Sequence, residues 1–361
     1  MSNASAVDID TTGLAIRYTV YVIQGAFLVL CNGIIVGAVL YQKVLRERKE
    51  LVLPAALAFC DALDGLGAFL AGLGRNWMIS NRTAGVLVSR WQCLLKPWNV
   101  IWTWSDHNMD PTLLMLSVDR LIAVAWPLFH FGQGRNYIRC VLCLAWFPGT
   151  ILSCASAYFS YRYEMARDGF SYQYPERPAL CHTEYAFDSQ YYTLHKTMRV
   201  VLSTASVVVY VIVIVIVQMR SQSQTGESAG FKEYSEIQRK VTTTLGLSCL
   251  LTFFLYVLPT LMRGVMPFLY PDFDMSSGLV ADLFSMSYVI ENFNKIANVF
   301  LYSARLKNVR LGILYLFKCK ELTEAALKNH SQKAATTHSV RNRKQSASEP
   351  KQNDMVLERL D

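Results

Sequence analysis

Apolar residues gather into seven runs, near 18–42, 51–74, 95–122, 138–160, 194–219, 240–264 and 279–303. Each reaches the roughly 20 residues that a helix needs to cross the hydrocarbon of a bilayer. The third is the most polar, because Ser105-Asp106-His107-Asn108-Met109-Asp110-Pro111 interrupts it. Beyond the last run, Arg305, Lys307 and Arg310 alternate with Leu311, Ile313, Leu314 and Phe317, the pattern of a helix lying on a membrane surface. These patterns predict an all-α membrane protein. It has an amino-terminal segment 1–17, a seven-transmembrane helix bundle 18–303, a short amphipathic eighth helix within 304–320, and a tail 321–361. The tail is polar and basic with no apolar period, so it is expected to be disordered.

Composition agrees with a bundle in lipid. Hydrophobic residues make up 52% of the 361 and charged ones 17%. Lys43, Arg46, Arg48 and Lys49, then Arg239 and Lys240, then Arg305, Lys307 and Arg310 all fall on one side, which is predicted to be cytoplasmic. Arg75, Arg82 and Arg90 lie on the other side, against the bias. No basic flank precedes a short apolar core, so span one itself is expected to direct insertion, with the amino terminus outside. The net charge of +8 follows from basic loops facing anionic lipid and does not call for nucleic acid. Of the nine cysteines, Cys93 and Cys181 reach the oxidising face, and two thiols there most simply form one disulfide. Asn3 and Asn81 open glycosylation sequons on the same face, and Cys319 is a candidate palmitoylation site inside.

In these features the chain resembles a rhodopsin-like (class A) G-protein-coupled receptor across all seven spans. The residues that carry the resemblance are Asn32 in span one, Asp61 in span two, Asp119-Arg120-Leu121 at the end of span three, and Trp146 in span four. Tyr210 in span five, Phe253 and Pro259 in span six, and Asn298-Val299-Phe300-Leu301-Tyr302 in span seven complete the set. The departures are Leu121 and Val299 for a Tyr and a Pro, and Val257 for the span-six Trp. Span five lacks its Pro, and Cys93 to Arg120 is about two residues too long. This divergent pattern is similar to nematode serpentine chemoreceptors. The resemblance implies a switch made of Asp119, Arg120, Tyr210, Pro259, Asn298 and Tyr302, and a polar core of Asn32, Asp61, Glu291, Asn294 and Lys295.

The polar residues also speak for themselves, since an ionised group at mid-membrane costs about 3 kcal/mol on insertion scales. Asp119 is expected to pair with Arg120. Arg239 stands where the family keeps an acidic residue, which predicts a weak inner latch and raised basal signalling, with Glu236 as a substitute partner. Glu291, Lys295, Asn298 and Tyr302, spaced 4, 3 and 4, form one helical stripe. Lys295 is expected to pair with Asp61 or Glu291, in place of the sodium ion that relatives hold there. A retinal Schiff base is disfavoured, because Lys295 lies a turn deeper than the opsin lysine and Asn292 takes that place. Asp106 faces the bundle as Arg120 does, either for a cationic ligand or for a network with His107 and Asn108. Trp102, Tyr256, Tyr288 and Glu291 complete a candidate ligand pocket, and the loop 161–193 a candidate lid.

No metal spacing, phosphate loop or nucleophile–base pair occurs, so no cofactor and no enzymatic activity are expected. The function this points to is ligand-driven activation of a heterotrimeric G protein at the plasma membrane. Membrane lipid is a further expected partner, and arrestin and receptor kinases would act on tail sites such as Ser331, Thr336 and Ser346. The alternatives are a receptor-like protein that does not signal and a small-solute transporter.

Overall fold

A computed structural model describes residues 11–167, 177–221, 242–244, 246–259, 261, 287–323 and 325–326. Span one is the helix Thr11–Tyr41, span two Lys49–Ser80, span three Pro97–Ala125, span four Arg135–Arg167 and span five Ser189–Ser221. Each runs past its apolar stretch at one end or both. Span seven is described over Ser287–Arg305, and span six chiefly over 246–259. Spans one, two, four and five are each long and apolar enough to cross a membrane.

Span three holds 29 residues in one piece despite its polar centre. The reason is local. Thr103 Oγ1 donates to Asn99 O (2.6 Å), Asn108 Nδ2 to Trp104 O (2.7 Å) and Thr112 Oγ1 to Asn108 O (2.6 Å). Short polar side chains that bond back one turn consume their own polarity without leaving the helix. Pro97 at its first turn sets its start, and a Ser89 capping box starts the preceding Arg90–Leu94 helix.

Spans one and two pack backbone to backbone. A Cβ on Gly25 would lie 2.5 Å from Gly65 O, and one on Gly72 2.5 Å from Tyr18 O. Glycine is what lets these helices touch, as small residues do in lipid, where close packing replaces the hydrophobic effect. Outward, Leu144, Phe147 and Ile151 of span four and Val201, Val208, Val211 and Val215 of span five are exposed. A belt of that kind suits hydrocarbon rather than water.

At the basic end, the turn Lys43–Arg46 leads into span two, and the helix Pro127–Gly132 joins spans three and four. The helix Lys307–Phe317 lies within the stretch expected to be amphipathic, with Val309 and Leu311 buried. Gln42, itself buried, ties its far end to span one by donating to Lys320 O (3.0 Å) and accepting from Leu322 N (2.7 Å). At the opposite end Leu87–Val88 pairs antiparallel with Arg177–Pro178. Asn3, Glu236, Arg239, Lys240 and the tail sites Ser331, Thr336 and Ser346 lie outside the described residues.

Candidate functional site

A polar cluster joins spans two, three, five and seven. Asp106 and Asp110, one turn apart on span three, both meet Arg199 of span five: Nη1 lies 3.2 Å from Asp106 Oδ2 and Nε 3.1 Å from Asp110 Oδ2. The third arm of the guanidinium, Nη2, lies 3.1 Å from Glu291 Oε1 of span seven. Ser203 Oγ donates to the other Asp110 oxygen (2.6 Å), and the Arg199 guanidinium sits 5.2 Å over the Tyr256 ring. A fork of five N–H donors is the side chain best suited to hold several carboxylates in a dry interior. Sequence reasoning missed Arg199, which looks like the outer flank of an apolar run.

Lys295 continues the ladder. Its Nζ is 3.5 Å from Glu291 Oε1, the pairing expected within the helix, and 2.6 Å from Asp64 Oδ2. The nearer partner is therefore Asp64, three residues along span two from the expected Asp61 and on the same face. Asp61 lines a cavity of about 30 Å³ together with Asn294, Lys295 and Asn298, roughly the volume of one water in the liquid. Asn294 Nδ2 donates to Thr252 Oγ1 (3.0 Å), and Ser248 Oγ donates to Asn298 Oδ1 (2.5 Å), so the polar stripe of span seven grips span six. Asn32 donates to Leu28 O of its own helix (3.2 Å).

Other expected pocket residues scatter. Trp102 turns towards span two, where Nε1 donates to Asp64 O (3.1 Å) and the ring fills the gap left by Gly67. His107 and Asn108 form no network with Asp106. His107 Nε2 meets Tyr191 OH at 2.8 Å and Nδ1 meets Thr103 O at 2.5 Å, while Asn108 bonds back to Trp104. Span seven carries Tyr288, whose side chain is outside the described set.

At the basic end Asp119 is wholly enclosed. It accepts from Arg120, from His130 Nε2 (3.1 Å) and from Tyr137 OH (3.0 Å). His130 is fully buried, delivered by the helix Pro127–Gly132, and Lys49 Nζ holds that helix by donating to the carbonyls of His130, Phe131 (3.3 Å) and Gln133 (3.2 Å). Arg120 is thus fixed by its own neighbour, and His130 and Tyr137 are partners that sequence reasoning did not find. Tyr210 and Tyr302 are buried nearby, Tyr210 donating to Thr242 O. Pro259 follows the π-helical turn Phe253–Val257, a local widening of the kind proline and functional sites favour in helices.

At the other end Cys93 and Cys181 are joined by a disulfide. The Cys181 carbonyl accepts from Arg75 Nη2 (3.0 Å) and Asn99 Nδ2 (3.1 Å), and Arg75 Nε donates to Leu180 O (2.8 Å). Arg75 was an exception to the charge bias, but it is a buried clasp, stacked on Tyr18, Trp98 and Trp102. Next to Cys181, His182 Nε2 meets Tyr18 OH at 3.3 Å. Burial, with Arg75 and Arg17 adding like charge, holds His182 down to about 3. Asn81 and Cys319 are both exposed, as modification would require.

The family model for the serpentine type 7TM GPCR chemoreceptor Srsx matches residues 26–317. No curated protein matches the chain.

Proposed function

Because the chain belongs to the serpentine type 7TM GPCR chemoreceptor family Srsx, we propose that it binds an extracellular ligand at the Arg199 cluster and activates a heterotrimeric G protein through Arg120. The observation that carries this is the reach of Arg199, which ties spans three, five and seven through one guanidinium. A ligand that competes for any of those carboxylates changes the spacing of three helices at once. Packed helices respond to such a change by switching between discrete arrangements.

The ligand class follows from charge. Asp61, Asp64, Asp106, Asp110 and Glu291 are five carboxylates grouped around two cations, Arg199 and Lys295. Asp106 and Glu291 are the more open ones, at 16% and 13%. An amine or a basic peptide terminus suits them, with Tyr256 offering a ring face. The disulfide end then faces outside and the basic end the cytoplasm, with residues 179–187 as part of the lid. Asn81 glycosylation and Cys319 palmitoylation fit this orientation, and the plasma membrane is the location it suits.

The test is a panel of amines and short basic peptides applied to cells carrying the receptor, with G-protein recruitment as the readout. Recruitment by a cationic ligand that is lost in Arg120→Ala supports the reading. Uptake of the ligand without recruitment replaces it with a transporter, and binding without recruitment with a receptor-like protein that does not signal.

A further inference from the structure

At the basic end lies a cavity of about 660 Å³ between the start of span two and the start of span four. Its rim carries Arg46, Arg48, Lys49, Arg135 and Arg139 against only Glu47 and Glu50. Its wall is apolar and includes Val52, Ile138 and Leu142. Lys49 is already committed to the loop carbonyls. Arg135 is paired with Glu47 at 2.7 Å, but both side chains are open to solvent, at 67% and 40%. An exposed pair of that kind is worth little and yields readily to a stronger anion.

Depth along the helix decides what fits. Leu142 lies seven residues beyond Arg135 on span four, about 10 Å at 1.5 Å per residue. The cavity therefore runs from headgroup level into hydrocarbon. The neighbouring loop helix exposes Leu128, Phe129 and Phe131, so this edge of the bundle sits in the membrane surface. A site with cations at the water level and aliphatic carbons beneath is complementary to one molecule that carries both phosphate and acyl chain.

We propose that this cavity binds a phosphoinositide of the inner leaflet. Its phosphates lie on Arg46, Arg48, Arg135 and Arg139, and an acyl chain lies along Val52, Ile138 and Leu142. The bound lipid bridges spans two and four across the loop that delivers His130 to Asp119, so it steadies that contact. The assignment rests on the orientation given above for the basic end.

The experiment uses the full chain in nanodiscs of phosphatidylcholine doped with a phosphatidylinositol bisphosphate or with phosphatidylserine, read by native mass spectrometry. Both leaflets carry the probe, so a wrong orientation does not affect the result; that orientation is tested separately by protease access in cells. The bisphosphate is expected to be retained over phosphatidylserine. Arg135→Gln combined with Arg139→Gln is expected to weaken retention by about 30-fold, since each basic residue beside an anionic headgroup is worth about 1 kcal/mol. Lys307→Gln combined with Arg310→Gln on the eighth helix is the control and is expected to leave retention unchanged. If the span-four variant does not fold, a photoreactive phosphoinositide on the unaltered protein is expected to label residues 46–52 and 135–142. Equal loss in the control, labelling elsewhere, or full competition by a soluble inositol phosphate would each overturn the proposal, the last by pointing to a free phosphate.

Discussion

Arg199 Nε and Asp110 Oδ2 lie 3.1 Å apart, and Asp110 is almost wholly shielded, its side chain 2% exposed. A buried charge left without its partner costs about 3–5 kcal/mol. Arg199→Leu takes the cation from Asp106 and Asp110, while Glu291 keeps Lys295, and is expected to lower the melting temperature sharply in detergent. Ser203→Ala removes one hydrogen bond to a charged group and is expected to cost about 1.5–3 kcal/mol. Combining Arg199→Leu with Asp110→Asn should recover part of the loss, because one of the stranded charges is gone. A double variant as unstable as the sum of the singles would deny the coupling.

Lys295 places an ammonium 2.6 Å from Asp64, beside the small cavity at Asp61. With a cation built in, added sodium has no role there. Thermal stability of the unaltered protein is expected to be the same in sodium chloride and in an equivalent salt of a bulky organic cation. Lys295→Met removes the ammonium from among Asp61, Asp64 and Glu291, and is expected to be stabilised selectively by sodium. Sodium-dependent stability of the unaltered protein would rule out the built-in cation.

The outer contact between His182 and Tyr18 has a definite pH signature. Folding lowers the His182 value from 6.5 to about 3. Above pH 6.5 the imidazole is neutral in both states and contributes no slope. Between about 6.5 and 3 the unfolded chain binds a proton that the folded one refuses, so stability falls as pH falls, by up to ~1.4 kcal/mol per pH unit. His182→Gln should flatten that part of a stability profile. An unchanged slope would mean that the ring is hydrated in the folded state.

The disulfide between Cys93 and Cys181 closes a separation of 88 residues, for which the chain-entropy account gives about 4.6 kcal/mol. Cys93→Ser is expected to lower thermal stability and to free the strip at Leu180 and Cys181 that Arg75 holds. Faster hydrogen exchange at 179–183 is the direct measurement. Exchange that stays slow would show that Arg75 and Asn99 pin the loop unaided.

The apolar runs made the spans legible, since membrane helices announce themselves by length. The Glu291–Lys295 contact was also readable, because residues four apart on a helix must be neighbours. Asp64, Arg199 and His130 were not. Each meets a partner on a different element, at a distance fixed by how helices rotate against one another, which no local spacing encodes. Arg75 was read as a topological blemish for the same reason: its carbonyl partners lie 105 and 106 residues away. Trp102 and Asp106 are four apart, one helical turn, and were expected in one ligand pocket. Their side chains part, because the Gly67 slot on span two accepts the indole while Arg199 draws the carboxylate.

The enclosure of Asp119 bears on basal signalling. Arg239, which stands in the family's acidic place, and its substitute Glu236 are outside the described residues, but Asp119 already gathers Arg120, His130 and Tyr137. His130→Ala removes one donor and leaves the loop helix docked by Lys49 without its contact to Asp119. A hydrogen bond to a charged group is worth about 1.5–3 kcal/mol, and a resting state weakened by that much is expected to raise ligand-free G-protein recruitment by about tenfold or more. Tyr137→Phe is expected to act in the same direction, and Arg120→Ala to abolish recruitment in either background. If His130→Ala left ligand-free recruitment where it was, with surface expression matched, Arg120 and Tyr137 would hold Asp119 unaided and the loop helix would have no part in the switch.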